Sequence, residues 1–485
     1  MSQKIVSTKY STASGFIISI AFVFSLTSNA NDFASLQQKL IIQNDNLLAL
    51  EDNFGRHDFQ LVEPLTHLAQ TQFDANHFDD AMETVSRALQ ITRLNHGLYT
   101  KEQYDLLAMK IDIDIRRASW DKADKSLRHF KWLVENRFEG NDLELLEALD
   151  WLANVHMQGV IHDKTDQRAY HLIAATRLNE QAVHQAQILA NTNSRFYAEL
   201  LYSLTEKYYL ETRGILGGGS TAYYLRLLNP YSALVDSRSR ALEVRYRVGL
   251  EKLTMLRAFL QDSMQFDSET VGMAELYIAD WKVLFNKSND INAEYAVSFN
   301  SLKDAGVSKE KLDQFFSQPA ILPRPVLSLS IEEALAVRNS ASLFQESELI
   351  NPVNSASVQP SFNLSLYEPT QFLGGHAVDF SQLDLSETSI DDWQSIRVDF
   401  EFDPTEERRV RNGVYFTKSH VSANNLSLIG QPGVENDDLR QALAHIKTLS
   451  FRPAFFEGKA LEGKVDLDFR IRVGDAYPLP SLVMR

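Results

Sequence analysis

Cysteine is absent from this chain. That excludes a disulfide scaffold, a thiolate metal site and a cysteine nucleophile, and it leaves no residue to carry a lipoprotein acyl chain. Glycine and proline are scarce too, at 20 and 13 of 485 residues, so the chain is neither collagen-like nor a low-complexity tract. Beyond residue 30 no apolar run approaches the roughly 20 residues that a spanning helix needs, which excludes a polytopic membrane protein. Basic residues are outnumbered, 48 Lys and Arg against 64 Asp and Glu, for a net charge of −16. Such a surface repels phosphate backbones and anionic headgroups, so nucleic acid is not an expected partner.

What is present is globular material, 44% hydrophobic and 10% aromatic, enough for more than one core. At the N-terminus Lys4 and Lys9 precede an apolar run from Phe16 to Leu26, and Ser28 and Ala30 place small residues two apart. This pattern reads as a signal peptide over residues 1–30. The run reaches only about 17 Å as a helix, against a hydrocarbon core of about 30 Å. The expectation is an exported, soluble protein with no integral span after processing; an inner-membrane signal anchor is the rival reading.

From Asn31 to about residue 350 the pattern is helical, with apolar residues recurring at three and four. One unit is used twice. Phe78, Ala81, Val85 and Ala88 in the first copy are matched by Trp120, Ala123, Leu127 and Phe130 in the second, 42 residues later. With Leu65, Leu68 and Ala69 on a preceding helix, these positions resemble the tetratricopeptide repeat family in its longer variety. Small residues such as Ala69 and Ala81 let paired helices approach, and Phe78 fills the gap to the next pair. The second copy carries Ile111 and Phe130 where that family has small residues, and no further repeat is placed beyond Trp151. Gly217 to Ser220 reads as a connection between helices, because a phosphate loop would need a preceding strand and a following Lys-Ser or Lys-Thr.

Pro319, Pro323 and Pro325 end the main array, one more helix is expected over Ile331 to Glu348, and residues 351–369 read as the linker. Beyond it the period changes to two. Ile396 to Phe402 alternates strictly, a turn is expected at Pro404 to Glu407, and a second strand over Val410 to Val421. Leu439, Leu443, Ile446 and Leu449 mark a helical stripe. A last strand follows, with Val465, Leu467, Phe469 and Ile471 alternating with Lys464, Asp466, Asp468, Arg470 and Arg472. The expected fold is therefore multidomain: an all-α repeat array over 31–350, then a small α+β domain over 370–485 with an antiparallel sheet and one packed helix.

The order strand, strand, helix, Phe451-Arg452-Pro453-Ala454, turn and last strand resembles the C-terminal domain of the TonB family, over about residues 395–473. The resemblance implies a module that binds an extended segment of an outer-membrane receptor, or of another envelope protein, by adding it to the edge strand Lys464 to Arg472. It also implies a periplasmic location, with inner-membrane motor proteins as a further class of partner. A transducer's membrane helix with its histidine, and its proline-rich spacer, are missing, so the helices stand as scaffold or spacer. The alternative is an envelope scaffold whose C-terminal module binds peptidoglycan or a structural protein.

Catalytic patterns are lacking. His57, His67 and His77 are spread around different helix faces, Asp112 and Asp114 point to different sides of a helix, and no H-E-x-x-H or G-x-S-x-G occurs. No cofactor, metal or enzymatic activity is expected.

Overall fold

The computed structural model describes residues 35–137, 143–162, 167–189, 193–217, 219–227, 238–324, 326–341, 361–367, 393–411, 414–429, 450–456, 458–461 and 463–472. The expected signal peptide and the helical stripe from Leu439 to Leu449 lie outside them. Two compact units result, one ending at Phe138 and one running from Glu139 onward.

Among its described residues the first unit has α1 (35–54), α2 (Val62–Asp74), α3 (Phe78–His96), α4 (Tyr104–Arg116) and α5 (Trp120–Arg137). The 42-residue offset seen in the sequence sets the start and end of α2 and α4 and the start of α3 and α5. A 3-10 turn at Phe59–Leu61 precedes α2, and one at Lys101–Gln103 precedes α4. Each pair is joined by the same closing turn, in which Asn76 (φ 60°) and Ala118 (φ 52°) take the left-handed conformation. His77 N–H returns to the Gln72 carbonyl at 2.8 Å, and Ser119 N–H to that of Asp114 at 2.8 Å. These bonds satisfy carbonyls that the end of α2 and of α4 would leave bare. Leu65, Leu68, Ala69, Ala81, Val85, Ala88, Trp120 and Ala123 are buried, and Phe78 is half-buried with its ring 5.6 Å edge-on from Phe73. Ile111 and Phe130, the large residues at small positions, are buried as well, and Tyr104 meets Phe130 edge-on at 5.4 Å.

The second unit carries α6 (Leu143–His162), α7 (Arg168–Leu189), α8 (Ser194–Gly217), α9 (Gly219–Leu227), α10 (Arg238–Asp262), α11 (Ser268–Leu284), α12 (Ile291–Asp304), α13 (Lys309–Phe316) and α14 (Ile331–Ala341). The glycine-rich stretch is thus the junction of α8 and α9. Asp267, Asp290 and Ser308 cap α11, α12 and α13, each accepting a backbone N–H three residues on. Two glycines set how closely helices meet. A Cβ on Gly249 would lie 2.0 Å from the Trp281 ring, and one on Gly272 would lie 2.7 Å from Leu302. The closing turn of the first unit recurs after α11 at Asn286 (φ 51°) and after α12 at Gly306 (φ 90°). Two histidines do meet, contrary to their scatter in the sequence: His156 and His171 are buried with their Nδ1 atoms 3.0 Å apart.

The strands depart from expectation in three ways. Short β1 (Ala320–Leu322) forms in the proline-rich stretch and pairs antiparallel with β5 (Ser450–Arg452). Within the expected linker, Ser361–Tyr367 is a strand, β2. The expected turn at Pro404 to Glu407 is instead inside β3 (Trp393–Arg411), which runs on to pair with β4 (Val414–Ile429). Among the described residues the β3–β8 ladder stops at Phe402, and beyond it β3 pairs with β4 alone, a place where the missing N–H of Pro404 breaks no second ladder. The β3–β4 ladder closes with Arg411 opposite Val414. The remaining strands are β6 (Phe455–Phe456), β7 (Lys459–Ala460) and β8 (Gly463–Arg472).

Candidate interaction site

Phe451-Arg452-Pro453-Ala454 is buried throughout, not displayed. β5 is laid against β1 with Ala320 opposite Arg452, Ile321 opposite Phe451 and Leu322 opposite Ser450. This directs the Arg452 guanidinium to Asp280 on α11: Nε donates to Oδ1 at 2.9 Å and Nη2 to Oδ2 at 2.5 Å. Tyr295 of α12 donates its hydroxyl to the same Oδ1 at 2.8 Å, so the carboxylate holds three charge-strengthened bonds. Burial, followed by the nearby Asp280 charge, pushes the Tyr295 hydroxyl well above the usual range and keeps it a donor. The guanidinium lies 5.2 Å over the Phe315 ring of α13. Phe455 then packs against Tyr295 at 5.0 Å and Phe316 at 6.1 Å, and Ala460 N–H donates to Asn292 Oδ1 at 2.7 Å. The motif fastens the C-terminal segment to three helices.

Sequence reasoning missed Asp280, Tyr295, Phe315 and Phe316. The available signal was Asp280 itself, an acid in the apolar run Tyr277-Ile278-Ala279-Asp280-Trp281. A buried carboxylate needs a partner, but nothing local names one 172 residues away.

Lys464 to Arg472 forms β8, and its placement corrects the expected open edge. The four-stranded sheet has the order β2, β8, β3, β4, so β8 is internal. On one side it pairs antiparallel with β3, Trp393 opposite Arg472 through Phe402 opposite Gly463. On the other it pairs parallel with β2, from Ser361 opposite Lys464 to Tyr367 opposite Arg470. Val465, Asp466, Leu467, Asp468 and Phe469 fall between those limits, whereas Ile471 and Arg472 extend past the end of β2. The register makes rows of like residues: Phe362, Val465 and Phe400; Leu364, Leu467 and Val398; Leu366, Phe469 and Ile396. The residues that would recognise a partner strand already have one from their own chain.

Among the described residues no helix is long and apolar enough to cross a membrane, and no three His, Asp or Glu side chains converge as a metal site. Asp114 pairs with Lys110 at 2.7 Å while Asp112 Oδ1 is buried without a partner, so the two carboxylates serve separate surroundings. Comparison with protein families and with curated proteins returned no match.

Proposed function

We propose that this chain is an exported protein-interaction protein of the cell envelope, whose C-terminal sheet binds an extended partner segment by strand addition in the manner of TonB-type modules. The role is binding, not catalysis. The helices act as scaffold, and the partner is a segment of an outer-membrane receptor or another envelope protein met in the periplasm. The observation that carries this reading is the parallel ladder of β2 on β8. A seven-residue extended segment, Ser361 to Tyr367, occupies the β8 edge with its apolar residues in the rows of Val465, Leu467 and Phe469. Backbone pairing with apolar residues at alternate positions is the chemistry by which a foreign strand is recognised. A partner strand would compete with β2 for that edge.

The docking of Arg452 on Asp280 supports a second reading. A module fastened to helices suits an envelope scaffold that holds peptidoglycan or a structural protein, without energy transduction.

A labelled peptide of the β2 sequence, Ser-Phe-Asn-Leu-Ser-Leu-Tyr, tests strand addition on the full chain. Leu364→Pro disfavours an extended, paired β2 and should tighten peptide binding about tenfold or more. Asp468→Pro in β8 should abolish it. Binding indifferent to both changes, or absent from Leu364→Pro, would sink the proposal. Competition by receptor segments, but not by peptidoglycan fragments, separates the two readings.

A further inference from the structure

Two large aromatic rings of the first unit stay at the surface, Trp132 exposed at 41% and Tyr99 at 49%. They meet with centroids 4.8 Å apart and planes at 55°, forming an aromatic corner between α5 and the turn that follows α3. The His129 ring lies beside it, 6.5 Å from Tyr99. Burial, followed by the Arg93 charge, pushes the His129 imidazole down, so near neutral pH it adds a polar edge and no charge. Helical spacing puts two cations on the Trp132 face of α5, Arg128 one turn before the ring and Lys125 two turns before it. Both are exposed, and neither is in an ion pair among the described residues. Asp121 stands a turn beyond Lys125 and Glu135 is taken by Lys131, so this face keeps an excess of positive charge on a chain of net charge −16.

We propose that this corner binds an anionic glycan, a chain of pyranose units that bears carboxylates. Aromatic ring faces are electron-rich, and the slightly positive C–H groups on one face of a pyranose pack on them. A sugar suits a ledge open to water, because its hydroxyls stay hydrated while that one face is covered. Arg128 and Lys125 lie about 6 and 10 Å along the helix axis from Trp132, within reach of the units that follow the stacked one. The Arg128 guanidinium presents paired N–H donors at the spacing of a carboxylate. An acidic peptide would be drawn by the same charges, but it has no ring face to lay on Trp132. The site belongs to the first unit and is independent of strand addition at β8.

Calorimetric titration of the full chain with a galacturonate hexamer tests the assignment. It should bind with a Kd of about 1 mM or tighter in low salt and weaken several-fold as salt rises. Neutral maltohexaose and hexaglutamate, which carries the charge without the rings, should each bind about tenfold more weakly. Trp132→Ala and Arg128→Gln should each lower the galacturonate affinity about tenfold and, because both side chains are exposed, leave the thermal midpoint within about 3 °C of the parent. Competition by peptidoglycan glycan strands freed of their peptides would trace the carboxylates to muramic acid of the wall, and its absence to a uronic-acid polysaccharide; either result keeps the assignment. No binding of galacturonate at about 1 mM, equal binding of maltohexaose or of hexaglutamate, or binding that either variant leaves intact overturns it. So does a Trp132→Ala protein that unfolds well below the parent, because the ring would then be packing and not a free ledge.

Discussion

Asp280 and Arg452 are 172 residues apart in sequence and joined by two hydrogen bonds in a buried pair, at 2.9 and 2.5 Å. Asp280→Asn or Arg452→Met alone strands the opposite charge and should cost about 3–5 kcal/mol. The double variant removes both charges and should recover part of that loss, giving a large coupling energy in a double-mutant cycle. Urea denaturation of the four proteins measures it. Additive losses would mean that the pair is not the fastening described above.

Ala118 takes the left-handed conformation at a position where Asn76 stands in the matching turn. An alanine Cβ there costs about 1–2 kcal/mol, and glycine relieves it at some cost in unfolded-chain entropy. Ala118→Gly should therefore stabilise the first unit by about 1 kcal/mol, and Asn76→Gly by less, because asparagine tolerates the conformation. Ala118 is exposed, so no packing is lost in the exchange. Thermal midpoints of the two variants against the parent give the comparison, and a lower midpoint for Ala118→Gly would contradict the turn geometry.

Asp112 predicts a pH dependence. Burial raises its carboxyl from the usual 3.8 to about 7, with Arg116 opposing, and its Oδ1 has no hydrogen bond. The folded state holds a proton that the unfolded state has released, so stability falls as pH rises from about 4 to about 7 and is level above. Asp112→Asn removes this dependence. It should gain about 1–3 kcal/mol over the parent at pH near 8 and nothing at pH near 4. Denaturation midpoints of both proteins at the two pH values settle it, and a gain of equal size at both would exclude the titration of Asp112 as its source.

Periodicity was enough to read the first unit. The interval from Phe78 to Trp120 holds for the preceding 3-10 turns, for α2 and α4, and for the left-handed residues. Local chemistry was also legible in β8, where charged and apolar residues alternate. Three features were not. β1 is three residues long among prolines, too short for a period to register. The strand Ser361 to Tyr367 was obscured by the Ser, Asn and Pro residues that precede it, although Phe362, Leu364 and Leu366 alternate. The turn expected at Pro404 lies inside β3 instead, opposite Val421, because the pairing with β4 continues to Arg411 and Val414. The site was harder still, since Asp280 and Arg452 sit on elements whose local patterns say nothing of each other.

The ladder between Ala320–Leu322 and Ser450–Arg452 bears on the timing of folding. A chain that emerges N-terminus first completes its early segments first. Here α11, α12 and α13 emerge with Asp280 lacking its Arg452 partner and β1 unpaired, and both remain so until the segment that begins at Ser450 arrives. Final closure therefore waits for the last part of the chain. A truncation upstream of Ser450 would leave a buried acid, a bare strand edge and uncovered aromatic rings at Tyr295 and Phe316, a combination suited to recognition by quality-control proteases.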